Sequence, residues 1–138
     1  MTTPEPWLIH FFRRHRSEDS ARTTPAVDFF ESIPEEVAAQ IQAVLDAVAA
    51  APPPSFSGGG KWEAMHGDMA GFYEVRVQFS QANYRLFCVL ERDAEGLGGS
   101  SIVCIDGLVK PRRSAAKARD YRRAVSYRRE FEKRRTVL

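Results

Sequence analysis

Five cations and two proton acceptors make up the chemistry that this sequence can offer. Arg76, Arg85 and Lys110 fall in or at the end of three successive strand-like segments, and Arg112 and Arg113 follow. A guanidinium presents a planar fork of N–H donors that matches two phosphate oxygens, so the set suits phosphate and the charge that develops on it during transfer. Arginine stays protonated and is a poor base. Glu74 and His66 are left to accept a proton, with Tyr84 behind them. Other chemistries fit worse. Three histidines and two cysteines stand without metal-ligand spacing, so no metal and no cofactor are expected. Gly58-Gly59-Gly60-Lys61 lacks the preceding strand and the following Ser or Thr of a phosphate loop, and reads as a linker. Neither Cys88 nor Cys104 has a histidine placed beside it as a nucleophile's base.

Charge is segregated along the chain. The net charge is +2, but from Lys110 to the end twelve Lys or Arg face three acids, giving +9, and residues 1–109 carry −7. Such a tail is a candidate for phosphate contacts through Arg112, Arg113, Lys117, Arg119, Arg122 and Arg123. A solvated helix face is the plainer alternative. If nucleic acid is bound there, affinity should fall steeply with salt, because each phosphate contact releases counterions.

The elements that must position these groups follow from periodicity. Trp7 to Phe12 reads as a first strand, with His10 inside it as a structural residue, and Arg13 to Thr23 as a loop. Thr24-Pro25 opens a short helix that Pro34 ends. Ser32-x-x-Glu35 fits a capping box for a second helix, with Ile33, Val37, Ile41, Val44, Leu45 and Val48 on one stripe to Ala50. Pro52 to Pro54 stop it, Ser55 to Gly60 form a connector, and Lys61 to Gly71 reads as irregular.

Phe72 to Phe79 alternates, with Glu74, Arg76 and Gln78 on one face. Ser80 to Asn83 reads as a hairpin loop. Tyr84 to Leu90 and Ser101 to Leu108 are apolar enough to be covered on both faces, with Gly107 marking a bulge and Cys88 near Cys104. Ser114 caps a last helix to about Arg135, with Ala118, Tyr121 and Val125 on its apolar stripe. The expected class is α+β: an N-terminal strand, a helical hairpin, an antiparallel meander packed on helices, and a basic C-terminal helix.

One stretch is recognisable. Phe72-Tyr73-Glu74-Val75-Arg76-Val77, then Tyr84-Arg85-Leu86-Phe87, then Ile102-Val103-Cys104-Ile105-Asp106-Gly107-Leu108-Val109-Lys110, in that order and spacing, resembles the HigB-like, phage-derived (Gp49-like) branch of the RelE/ParE toxin superfamily. The likeness covers roughly Trp62 to Arg123. It departs from the family where Pro111 replaces a second lysine, where Arg113-Ser114-Ala115 replaces a Lys-Thr-Pro-like step, and in a long N-terminal segment.

The resemblance implies a RelE-like fold and a metal-independent, ribosome-dependent mRNA endonuclease. It implies an antitoxin partner, a helix-turn-helix DNA-binding protein encoded beside it, and a functional arginine at the Tyr84-Arg85 step. In that chemistry the ribose 2′-OH attacks the neighbouring phosphate, which needs a base, positive charge and an acid for the leaving 5′-oxygen. Arg76, Arg85, Lys110, Glu74 and His66 are the expected catalytic set. A non-catalytic ribosome or nucleic-acid binder and a gyrase-inhibiting toxin of the ParE kind are the alternatives.

The bulk properties bound these readings. The 138 residues, 43% of them hydrophobic, make one domain over 1–138, with 1–23 a partly extended N-terminal segment. No run of apolar residues is long enough to span a membrane, and no basic segment precedes an apolar one as in a signal peptide. Two cysteines without a secretion signal read as reduced thiols in the cytoplasm.

Overall fold

Alternation along the strands decides what each sheet face meets, and here both faces are covered. A computed structural model describes residues 5–51 and 60–138. The proline run 52–54 and the glycines at 58 and 59 lie outside the described residues, and with them the expected helix stop, connector and linker. The elements run β1 (Leu8–Phe11), α1 (Pro25–Ser32), α2 (Glu35–Ala50), β2 (Trp62–Ala64), β3 (Phe72–Phe79), β4 (Ala82–Glu91), β5 (Ser101–Pro111) and α3 (Ala118–Arg134), with 3₁₀ turns at Gly67–Met69 and Glu95–Leu97. The five strands form one sheet in the order β1-β5-β4-β3-β2. Among the described residues no helix is long and apolar enough to cross a membrane.

The α+β class expected from the pattern is what the chain adopts, with two corrections to the sheet. It is mixed, because β1 lies parallel to β5, with Ile9 opposite Ile102. The α1–α2 hairpin carries the chain over one face, so β1 and β5 are far apart in sequence and no tight turn forces them antiparallel. The segment Lys61 to Gly71 also holds a strand: β2 pairs with β3, setting Glu63 opposite Glu74.

One face meets α1 and α2. Val75, Val77, Leu86, Cys88, Ile102 and Cys104 pack there with Val37, Ile41, Leu45 and Val48. The other face meets α3, where Phe72, Phe87, Val103, Ile105 and Leu108 enclose Ala124 and Phe131. Cys88 and Cys104 sit side by side, the Cys88 thiol donating to the Cys104 sulfur at 4.0 Å, both buried and without a disulfide. Burial pushes the Cys88 thiol well above its ordinary range, which keeps it unreactive. His10 bonds through Nε2 to the Leu97 carbonyl oxygen at 2.8 Å.

Local details depart from the sequence expectation for physical reasons. Ser32 closes its own helix, its hydroxyl donating to the Phe29 carbonyl at 2.8 Å, so the capping box does not form and Pro34 precedes α2. Thr24 and Pro25 open α1 as expected, without a side-chain cap bond. Lys117, not Ser114, precedes α3. The β3–β4 turn is only Ser80-Gln81, both at positive φ (48° and 68°), the mirror-image geometry that matches strand twist.

The irregularity in β5 falls between Phe87↔Asp106 and Cys88↔Cys104, which leaves Ile105 as the extra residue. Gly107 serves a different purpose from the expected bulge. A Cβ there would run into the ring of Phe29, so its bareness lets α1 lie on β5.

Candidate active site

The short turn sets the register that builds the site. With Phe79 opposite Ala82, Arg76 stands directly across from Arg85, Glu74 from Phe87, and Asn83 from Lys110. Period-two geometry then puts Glu74, Arg76 and Arg85 on one sheet face, as the sequence pattern anticipates, and that face is the one α3 covers. Two guanidiniums placed directly opposite repel unless an anion lies between them.

Glu74 is that anion. Its carboxylate is buried, with Oε1 3.6 Å from Arg76 Nε and Oε2 3.9 Å from Arg85 Nη1. These are ion-pair distances, longer than hydrogen bonds. Glu74 Oε2 and Arg85 Nε, both buried, have no hydrogen-bond partner among the described residues. Burial raises the proton affinity of Glu74, outweighing the pull of Arg85 and Arg76; Glu63 adds to the rise and Lys110 opposes it. A carboxylate held this way is suited to taking and returning a proton.

The arginines are fixed from two sides. Arg76 Nη1 donates to Glu63 Oε2 at 3.1 Å, and Arg85 Nη1 donates to the Tyr121 hydroxyl at 3.0 Å. Both guanidinium-bearing residues line a cleft of about 460 Å³ with Lys61, Glu63, Gln78 and Asn83. Arg76 keeps 41% of its side chain exposed and Arg85 16%, so Arg76 is the outer contact and Arg85 the inner one.

The remaining expected residues lie around this centre. Lys110 Nζ donates to the Ser114 carbonyl at 2.9 Å, at the edge of the same sheet face. Arg112, Arg113, Lys117, Arg119 and Arg122 are exposed. Arg123 is engaged: its Nε lies 2.7 Å from Asp106 Oδ2 and its Nη1 3.2 Å from Asp120. The lining of the cleft of Arg76 and Arg85 includes neither Glu74, which is buried, nor His66. His66 lines a separate one, with Met65, Met69, Tyr121 and Arg122. Tyr84 packs among the core residues under α1 and α2 and also lines the cleft of Arg76 and Arg85.

Three contributors escape sequence reasoning. Glu63 sits on a strand too short to show periodicity. Tyr121 reads as part of an apolar stripe, yet its hydroxyl reaches Arg85. Asp106 is buried and turned toward α3 by the extra residue at Ile105. Burial raises the Asp106 carboxyl above its ordinary range, against the opposing hydrogen bond from Arg123. Among the described residues no three His, Cys, Asp or Glu gather as metal ligands. The arrangement can seat an anion against Arg76 and Arg85 and move a proton at Glu74. No family model matches the sequence, and neither the curated proteins nor the solved structures hold a match to it.

Proposed function

We propose that the chain is the toxin of a toxin–antitoxin pair, a metal-independent endoribonuclease that cuts mRNA on the ribosome. The observation that carries this reading is the cross-strand pair Arg76 and Arg85 over the buried carboxylate of Glu74. The motif resemblance supplies the family, RelE/ParE with a HigB-like branch, and the partner, an antitoxin covering the basic surface.

In this mechanism Glu74 accepts the proton of the ribose 2′-OH. The 2′-oxygen bonds to the adjacent phosphorus and the bond to the 5′-oxygen breaks, leaving a 2′,3′-cyclic phosphate and a 5′-hydroxyl. The proton from Glu74, or one from water, ends on that 5′-oxygen. Arg76 and Arg85 hold the phosphoryl oxygens as their charge grows, releasing Glu74 from its ion pairs. Because the nucleophile belongs to the RNA, the step needs no metal-bound water. The ribosome supplies alignment of the strand, an effect of position rather than of acid strength.

The test is cleavage of mRNA on programmed ribosomes in excess chelator. Fragments ending in cyclic phosphate are expected, and complete, reversible loss under chelation would overturn the metal-free step. Inhibition of gyrase supercoiling with intact mRNA would move the chain to the ParE-like alternative.

A further inference from the structure

The basic residues of α3 divide into two sets. Arg123 is held by Asp106, and Arg128 by the Ala70 carbonyl (2.9 Å), by Glu132 (3.0 Å) and by the ring of Phe72. Arg122 and Arg129, seven residues apart and so two turns along one helix face, engage no acid among the described residues. Both are exposed, and both border one cleft of about 750 Å³. Its wall is the helix face with Ala118, Tyr121 and Val125, and its opposite side is Met65, His66, Asp68 and Met69 around the 3₁₀ turn.

The lining combines a half-buried tyrosine ring, two thioethers and an aliphatic patch with two unpaired guanidiniums at the rim. A largely apolar slot with cations at its rim, and with His66 and Asp68 beside the thioethers as polar edges for a base, is complementary to an unstacked nucleobase with its flanking phosphates. A cleft of this size has room for one nucleotide. Tyr121 links it to the catalytic cluster, because the same residue that lines the cleft accepts the hydrogen bond from Arg85.

We infer that this cleft is a subsite for one splayed-out nucleotide of single-stranded RNA, its base between Tyr121 and Met65 and its flanking phosphates on Arg122 and Arg129. It selects unpaired RNA, since a base held in a duplex stack cannot enter. The inference deepens the nuclease reading and rests on it for its biological use.

The experiment measures binding of the full chain to a fluorescein-labelled RNA hexamer whose 2′-hydroxyls are methylated, so that nothing is cut. A hexamer with one abasic position and an RNA duplex of equal length are run beside it, against the parent and the double variant Arg122→Ala/Arg129→Ala. The double variant is expected to bind the hexamer at least about tenfold more weakly. Loss of one base should cost about fivefold or more, and the duplex should compete poorly. Both arginines are exposed, so the melting temperature should stay within about 2 °C of the parent.

Equal affinity for the hexamer and its abasic form, equal competition by the duplex, or unchanged affinity of the double variant would overturn the subsite. Cleavage on ribosomes separates the two readings. A double variant that cuts at the parent's kcat and KM removes the cleft and leaves the nuclease. A parent chain that binds the hexamer through the cleft yet leaves mRNA whole removes the nuclease and supports the cleft.

Discussion

The two faces of the sheet are built on opposite terms. Under α1 and α2 the contact is dry: Val75, Leu86, Ile102 and Cys104 meet Val37, Ile41 and Leu45, all with no more than a trace of exposure. Under α3 only Ala124 and Phe131 of the helix are buried, and the interface is completed by polar contacts: Arg123 to Asp106, Arg85 to Tyr121, and Arg14 to Glu130 at 3.0 Å. The buried carboxylates among the described residues, Glu74 and Asp106, both belong to this second face. Burying a charge costs stability even when it is paired. A layer that could have been apolar and is not has been shaped by something other than packing.

The largest expected effect tests the chemical half of that contrast. On the proposed nuclease reading, Arg85→Ala should lower ribosome-dependent cleavage by about 10²–10³, the usual cost of one charge-stabilising contact. Its stability should fall by about 1–3 kcal/mol, for the lost bond to Tyr121 and the lost ion pair to the buried Glu74. Melting temperature and cleavage measured together decide the matter. A well-folded variant cutting at the parent rate would take Arg85 out of the site.

The dry face should answer in the reverse way. Gly107→Ala puts a methyl group into the space filled by the Phe29 ring. Overpacking of this kind costs about 1–3 kcal/mol, read from the urea midpoint. Catalysis by the fraction that remains folded should hold near the parent rate. Unchanged stability would show that α1 lies less tightly on β5 than its contacts imply.

What could be read in the sequence follows the same division. The period of two along Phe72 to Phe79 is enough to place Glu74 and Arg76 on one face, and the apolar runs of β4 and β5 announce a sheet covered on both sides. Two helices and the basic third were legible from stripes and prolines. The long-range facts were not. Three residues of β2 carry no period, and the parallel pairing of β1 depends on a crossover rather than a turn. The hairpin looked longer because neither Ser80 nor Gln81 is a glycine, though both adopt positive φ. Ile105 shifts the pattern by one residue and so turns Asp106 inward, where an alternation count alone does not place it. The clustering of Glu74, Arg76 and Arg85 was legible because they share one hairpin, and that of Tyr121 was not, since it reaches Arg85 from 36 residues away.

A smaller effect sharpens the account of how α3 is held. Asp106→Ala removes the 2.7 Å partner of Arg123, whose side chain is 42% exposed and can turn to water. The loss should be about 1–2 kcal/mol, concentrated in α3 as faster hydrogen exchange in its first turns while β3 and β4 stay protected. Uniform loss of protection across the whole sheet would mean that this helix does not move as a separate layer.

The smallest effect on stability concerns Glu74, and its sign is the informative part. Burial raises the carboxyl above its ordinary range in the folded chain. Between the ordinary carboxylate value and the raised one, the folded state holds a proton that the unfolded state has released, so stability falls as pH rises through that window and the cost persists above it. Glu74→Gln cannot ionise and escapes that cost. It should therefore melt slightly higher than the parent at neutral pH, with the advantage shrinking as pH drops to the ordinary carboxylate range. Asp106 is raised in the same direction, also chiefly by burial, so the variant's pH dependence should be reduced rather than abolished. On the proposed nuclease reading, cleavage by the variant should also be lost, because the amide can neither take nor return the proton. A variant that melts lower than the parent at every pH would make the ion pairs of Glu74 to Arg76 and Arg85 a net support of the fold. The polar face would then be held together by the groups assigned here to catalysis, and the distinction between its two layers would fail at its centre.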